Sequence, residues 1–432
     1  MRQYVPDAMN KEYAVELSAS NIRYGFGVTH EVGLDLAEQG AKLVMVLTDP
    51  NLYELPPVER ALEALDDQGI RYHVFNRVRV EPSDESFKEA IAFAQSYDFD
   101  AIVAVGGGSV IDTAKAANLY SCWPADFLDY VNPPIGKGAP VPGPLKPLYA
   151  IPTTAGTGSE TTGVAIFDLH ELHAKTGIAH RRLKPTLGLL DPLNLRTLPG
   201  AVAASAGLDV LSHAIESYTA IPYTERTAPE RPLLRPAYHG SNPISDVWAL
   251  QALRMVRQYL SAPWQTPTMK KRASDAARSS YAGIGFGNAG VHLPHGMSYP
   301  VSSMVRSWRP EGYAVHKPLV PHGFSVILNS PAVFRFTAQA SPQRHLDAAE
   351  ALGADISGAN PADAGKILAD TITGYMQRLD VPNGLEAVGY TSEDIPRLVE
   401  ATMPQHRVTK LSPRPAGEED LALMFEQAMR AW

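Results

Sequence analysis

The sequence predicts an α/β domain on a parallel sheet, followed by an all-helical domain. Three observations carry this. Short apolar, β-rich runs alternate with helix-period runs through the first half. From about Leu198 onward long helical periods dominate. The chain has 432 residues and is 45% hydrophobic, enough to bury two cores that share one interface.

In order, Ala41 to Thr48 reads as a buried strand, Pro57 to Gln68 as a helix and Tyr72 to Phe75 as a second strand. Ser83 opens a helix to about Ser96, and Ala101 to Val105 is a short apolar strand. A helix over Ser109 to Leu119 follows, then a strand at Leu148 to Ile151. The stretch from Trp123 to Pro152 is crowded with proline and too long for a plain connection. An ordered loop over the surface or the cleft is expected there. The second half predicts helices at Ala201–Thr219, Pro243–Leu260, Met269–Gly283, Ser341–Leu352, Pro361–Leu379, Ser392–Met403 and Glu418–Ala431. Ser341 and Ser392 read as helix starts, and Pro222 to Pro243 is a second proline-rich insertion. A boundary near Pro192 to Pro199 divides the chain into residues 1–196 and 197–432.

A formal net charge of -8 and the lack of a Lys/Arg block argue against a nucleic-acid surface. Cys122 is the only cysteine, which excludes an intrachain disulfide and a thiolate metal cluster and fits a reducing compartment. No stretch approaches the ~18 apolar residues of a membrane span. The first twenty residues resemble neither a signal peptide nor an Arg-rich transit peptide. A cytoplasmic protein is expected, and a matured mitochondrial one would look the same.

Two strand-to-helix corners suit a dinucleotide. Gly106-Gly107-Gly108-Ser109, with Asp112 beyond, follows a strand and opens a helix. Its glycines let backbone approach a ligand, and the helix start offers free N–H groups to a pyrophosphate. The plainer reading makes Ser109 an N-cap and Asp112 the partner in a capping box. The second corner, Thr153-Thr154-Ala-Gly-Thr157-Gly-Ser159, follows Leu148 to Ile151. Its hydroxyls and amides can bind phosphate and carboxamide without adding charge, or can simply cap the next segment. Asp49, ending its strand, can accept from ribose hydroxyls and repel a 2′-phosphate, favouring NAD over NADP. It can equally be a turn residue before Pro50. Lys175 is either a ribose or phosphate contact or a solvated surface charge.

Asp209 and His213, four apart on a predicted helix, project from one face. On its own such a pair is more often a surface pair or a satisfied buried histidine. Two more imidazoles, from His-Leu-Pro-His-Gly-Met (His292 or His295) and Val-Pro-His322-Gly, would complete a shell of three nitrogens and one oxygen. That shell suits iron or zinc.

Gly-Gly-Gly-Ser-x-x-Asp, Pro-Thr-Thr-x-Gly-Thr-Gly-Ser-Glu, Asp-x-x-x-His, His-Gly-Met and Pro-His-Gly occur here in the order seen in the iron-containing alcohol dehydrogenases, and the chain resembles that family over most of its length. Asp-Phe-Leu-Asp-Tyr-Val, Gly-Ser-Asn-Pro-Ile-Ser-Asp, Gly-Ile-Gly-Phe-Gly-Asn-Ala-Gly-Val-His and Arg-Val-Thr-Lys-Leu are more similar still to a branch moving hydride between a hydroxy acid and an oxo acid.

The resemblance implies a Rossmann-like domain followed by helices, in a dehydroquinate synthase-like architecture. It implies the metal ligands Asp209, His213, His295 and His322, with Fe2+ or Zn2+ as the ion and NAD tightly bound. His295 is preferred over His292 because His295-Gly-Met matches the ligand motif. His292 and Tyr299 remain for proton transfer; Tyr299 stands where many relatives carry another histidine. The implied reaction oxidises 4-hydroxybutyrate to succinate semialdehyde and reduces 2-oxoglutarate to 2-hydroxyglutarate. The rival readings are an NAD-linked alcohol dehydrogenase that releases NADH, a lyase using NAD transiently, and a non-catalytic metal-binding protein. Expected partners are small hydroxy and oxo acids, without nucleic acid or membrane, and a homodimer is compatible with the chain. Both substrates carry carboxylates, so a cation is needed near the metal; Arg23, Lys137, Arg306 and Lys317 are candidates.

Overall fold

The structure is a computed structural model describing residues 11–18, 20–169, 174–260, 269–311, 313 and 317–432. The first half alternates strands and helices: β1 (Asn21–Tyr24), α1 (Val32–Glu38), β2 (Leu43–Leu47), α2 (Pro56–Asp66), β3 (Arg71–Phe75), α3 (Asp84–Gln95), β4 (Ala101–Gly106), α4 (Gly108–Cys122), β5 (Leu148–Pro152), β6 (Val164–Leu169), β7 (Ala174–Ala179) and β8 (Leu187–Leu190). Six strands form one sheet in the order β1-β8-β5-β4-β2-β3, and β6 and β7 pair separately. Every pair in the large sheet is parallel.

Alternation along each strand explains the layering. Val44, Val46, Val103 and Val105 point to the face covered by α1 and α2. Met45, Leu47, Ile102 and Ala104 point to the face covered by α3 and α4. Burying both faces requires near-continuous apolar strands, and this is why β2 and β4 stand out in the sequence. Strand order reverses between β2 and β4, so the crevice at their carboxyl ends is where a doubly wound sheet binds its ligand.

The second half is helical: α5 (Gly200–Thr219), α6 (Pro243–Tyr259), α7 (Met269–Ala289), α8 (Leu293–Ser303), α9 (His322–Ile327), α10 (Ser330–Thr337), α11 (Pro342–Ala351), α12 (Ala364–Arg378), α13 (Ile395–Thr402), α14 (His406–Thr409) and α15 (Glu418–Ala428). One apolar cluster, from Ala204 to Met429, joins α5 to α15. Asn242 caps α6 by accepting from the Ile244 and Ser245 amides, with Pro243 at the first helical position.

Several expectations need correction. The helix expected at Met269–Gly283 runs on to Ala289. Pro361–Leu379 begins as a 3-10 turn, so its α-helix starts at Ala364. Thr391, not Ser392, is the N-cap of the next helical turn, and its amide and hydroxyl both donate to the Asp394 carboxylate. Ser341 precedes α11 without a side-chain cap. The hairpin β6–β7 and the short helices α8, α9 and α10 were not anticipated. The proline-rich stretch after α4 is ordered: Tyr130, Val131 and Val141 pack with Phe87, Phe167 and Ile178.

The halves meet with little between their backbones. Gly158, at φ +59°, lies against Gly283 of α7; a Cβ on Gly158 would fall 2.7 Å from the Gly283 Cα. Glu160 accepts from the Ser280 hydroxyl at 2.9 Å across the same seam. Within the helical half, Gly323 sits so close to α5 that a Cβ would lie 1.9 Å from the Ser205 carbonyl oxygen. Backbone cannot yield as a flexible side chain would. Gly323→Ala is therefore expected to destabilise the fold by about 1–3 kcal/mol, read as a lower denaturant midpoint, with looser metal retention because His322 heads the same helix.

Candidate metal and nicotinamide site

Helix α5 presents Asp209, His213 and Glu216 on one face, at i, i+4 and i+7. Helix α8 supplies His295 in its first turn, and His322 begins α9 just after Pro321. One ligand atom from each of Asp209, His213, His295 and His322 lies within 4.8 Å of the others. The Nε2 atoms of His213, His295 and His322 stand 3.6, 3.6 and 3.8 Å from Asp209 Oδ1. Asp209 Oδ1 and His295 Nε2 are buried without a hydrogen-bond partner. A buried carboxylate oxygen facing three imidazoles and left unpaired is costly alone, and a divalent cation satisfies it. The nitrogen-rich, thiolate-free donor set fits iron or zinc.

Each ring is held. His213 stacks on Phe286 with centroids 3.8 Å apart. Glu216, fully buried, accepts from His295 Nδ1 at 2.6 Å and from the His292 amide at 2.7 Å. That hydrogen bond fixes the tautomer and leaves the His295 Nε2 lone pair facing Asp209. Without a metal ion, burial opposes charge on His295, yet Glu216 and Asp209 raise its pKa to about 10; a divalent cation at Nε2 would take the place of that proton. Burial depresses His213 to about 3 despite Asp209. Asp209 is held at about 2: burial opposes ionisation, but His213 and His322 outweigh it. Glu216 was missed in the sequence, although i, i+4, i+7 periodicity from Asp209 would have found it.

The same cavity wall that holds Asp209, His213, His295 and His322 also contains Gly108, Ser109, Asp112, Thr157, Ser159 and Lys175. Gly106 and Pro152, at the ends of β4 and β5, are register partners, so the corners are neighbours by construction. Thr153 is buried, and its amide donates to the Gly106 carbonyl at 3.1 Å. Thr154 packs against Gly107. The capping-box reading of the first corner is overturned. Gly107 is the N-cap of α4 and provides no side-chain cap. Ser109 Oγ accepts from the Glu81 amide at 3.2 Å. Asp112 instead accepts from the Ser159 hydroxyl, the Ile166 amide and Lys115, binding the two corners to β6. Lys115, fully buried, donates to Ser159 at 2.7 Å, to Thr162 and to the Val164 carbonyl; no spacing or motif marks it in the sequence.

Asp49 is buried at the end of β2, where Oδ1 accepts from the Asn51 and Leu52 amides, and it is not in this cavity's wall. Burial pushes its pKa up. Lys175 is no solvated charge: it is 3% exposed and pairs with Glu81 and with Asp168. Burial opposes its ionisation, but Asp168 and Glu81 raise its pKa. Tyr299 lines the cavity and accepts from Arg407 Nη2 at 2.7 Å. His292 lies behind it, fully buried, with Nε2 3.0 Å from the Thr219 hydroxyl. Burial lowers its pKa to about 3, helped by His295.

None of the four anticipated cations lines this cavity. Arg23 pairs with Asp35 and Glu31, Lys137 with Asp129, and Arg306 with Asp394, while Lys317 is exposed.

The iron-containing alcohol dehydrogenase model matches residues 19–192, and the C-terminal model of the same family matches residues 237–429. The chain belongs to the iron-containing alcohol dehydrogenase family. It is 57% identical to the mitochondrial hydroxyacid-oxoacid transhydrogenase of Bos taurus, over 99% of this chain and 92% of that one. It is 59% identical to the Xenopus tropicalis protein of that name, over 98% and 92%. Among solved structures, a 1,3-propanediol oxidoreductase superposes with a TM-score of 0.84 at 26% identity, over 96% of this chain and all of that one. This member of the family is thus a metal-dependent oxidoreductase, with the α/β-then-helical architecture the motifs implied. Among the described residues, no helix is long and apolar enough to cross a membrane.

Two substitutions probe the centre. Glu216→Gln keeps shape but removes the anion that orients His295, and a ~10–100-fold loss of metal affinity is expected in chelator competition. His295→Ala should empty the site while His292→Ala retains metal. Equal loss in both would undo the assignment of His295.

Proposed function

We propose that this enzyme moves hydride from 4-hydroxybutyrate to 2-oxoglutarate through tightly bound NAD, giving succinate semialdehyde and 2-hydroxyglutarate. The observation that carries the reading is a four-donor cluster sharing one cavity with both strand-end corners. Identity of 57% to transhydrogenases over nearly the whole chain supports the substrate pair.

In this reading residues 1–196 form the nucleotide domain and 197–432 the metal and substrate domain. Asp209, His213, His295 and His322 hold Fe2+, with Zn2+ a competitor by affinity order. Gly106, Gly107, Gly108 and Ser109 receive the pyrophosphate at the start of α4, with Asp112 positioning the second corner. Thr153, Thr154, Thr157 and Ser159 border the nicotinamide side, and Asp49 takes the ribose. When bound, the metal supplies Lewis acidity to a substrate oxygen and the nicotinamide supplies a reversible hydride acceptor.

The chain's own residues do the rest. Glu216 holds His295 in the tautomer that faces the substrate pocket. Lys175, paired with both Glu81 and Asp168, shapes the wall beside the nucleotide without leaving a free cation there. Tyr299 offers a phenol from that wall to hydrogen-bond substrate and relay its proton. His292, behind the wall, positions α8 through Thr219 and Glu216. The acidic, single-cysteine composition fits a reducing interior, cytoplasmic or mitochondrial.

Enzyme isolated with its nucleotide and supplied with metal, 4-hydroxybutyrate and 2-oxoglutarate, but no added NAD, should form 2-hydroxyglutarate and succinate semialdehyde in equal amounts. Product limited to one turnover, restored by added NAD with free NADH accumulating, would make it a releasing alcohol dehydrogenase instead.

A further inference from the structure

The two substrates of the proposed reaction share a spacing. In 4-hydroxybutyrate, two methylenes separate the carbon that loses hydride from the carboxylate. In 2-oxoglutarate, two methylenes separate the carbon that gains hydride from the distal carboxylate. One fixed cation can therefore register both acids against the same reacting point.

Among the described residues, and apart from the metal-ligand histidines, the cavity wall carries two cationic side chains, Lys175 and Arg407. Lys175 is already paired with Glu81 and Asp168. Arg407, on the short helix α14, pairs with no carboxylate among the described residues. Its Nη2 donates to the Tyr299 hydroxyl at 2.7 Å, and its guanidinium carbon lies 5.2 Å from the centroid of the Tyr238 ring. Its Nη1 is buried with no hydrogen-bond partner. Both phenols are neutral contacts, and a guanidinium does not deprotonate in a protein. The guanidinium thus has no carboxylate partner among the described residues until an anion enters the cavity, and its planar fork matches a carboxylate. Tyr299 stands one helical turn after His295 on α8, so its hydrogen bond fixes Arg407 on the metal side of the cavity. Val408 and Leu411, packed in the apolar cluster with Tyr238 and Tyr299, hold α14 in place.

We propose that Arg407 receives the carboxylate shared by both substrates, and so sets the preference for acids with two methylenes between carboxylate and reacting carbon. This rests on the transhydrogenase reading above. Glutarate, which is 2-oxoglutarate without its reacting oxygen, is the binding probe. In holoenzyme titrated by calorimetry, Arg407→Gln should weaken glutarate binding roughly 100-fold, with a similar rise in KM for 4-hydroxybutyrate. The preference for 4-hydroxybutyrate over 3-hydroxypropionate, 5-hydroxyvalerate and 1-butanol should collapse, while bound nucleotide and metal content stay at wild-type levels. Arg407→Met keeps the apolar stem against Tyr238 and serves as a second neutral variant if the first does not fold. Glutarate affinity and chain-length preference within threefold of wild type in a folded neutral variant would overturn the proposal. So would loss of the nucleotide with glutarate binding intact, because the anion would then be the pyrophosphate. Wild-type enzyme that fails to convert 4-hydroxybutyrate overturns the transhydrogenase reading instead, and the glutarate titration still decides the role of Arg407.

Discussion

Everything in the helical half is arranged around one buried carboxylate. Asp209 is 2% exposed, and its Oδ1 faces three imidazoles without a hydrogen bond. Removing an anion from water is expensive, and only closely placed positive charge offsets it. Among the described residues of α5 to α15, the charge facing Asp209 comes from the imidazoles and the ion they can hold. Glu216, on the same helical face, adds a second buried anion, and it is compensated through His295 and two backbone amides. The face of α5 that would otherwise be core is thereby committed to chemistry.

The nucleotide side solves a different problem. Two polar corners at the ends of adjacent strands must keep their amides and hydroxyls accessible without collapsing onto each other. Asp112 and Lys115 do this from one face of α4, tying the corner that contains Ser159 to β6 by direct hydrogen bonds. Lys115 is wholly buried, and burial lowers its pKa, with Asp112 and Glu160 opposing the shift. Such a network is rigid because every member is satisfied by another.

The architecture and the four metal donors were legible because they follow strong local rules. β2, β4 and β5 are buried on both faces and read as unbroken apolar runs. Asp209 and His213 obey helical spacing, while His295 and His322 lie in recognisable tripeptides. The parts that escaped depend on contacts distant in sequence. The hairpin β6–β7 carries polar residues such as Asp168 and Lys175 that dilute its β pattern, and their pairing with Glu81 cannot be seen from spacing. The capping-box expectation at Ser109 and Asp112 failed because tertiary partners claimed both side chains. Arg407 opens the quoted Arg-Val-Thr-Lys-Leu stretch, but on a four-residue helix no periodicity marks its role. The cations that drew notice by position, Arg23, Lys137 and Arg306, are each already paired with a nearby acid.

The glycine-on-glycine seam between Gly158 and Gly283 has a mechanical consequence. Where the two glycine backbones touch, no side chain lies between them to reshuffle or compress, and the Glu160–Ser280 hydrogen bond closes the seam beside them. The two halves are therefore tightest at that point, and a side chain at either glycine would have to push them apart.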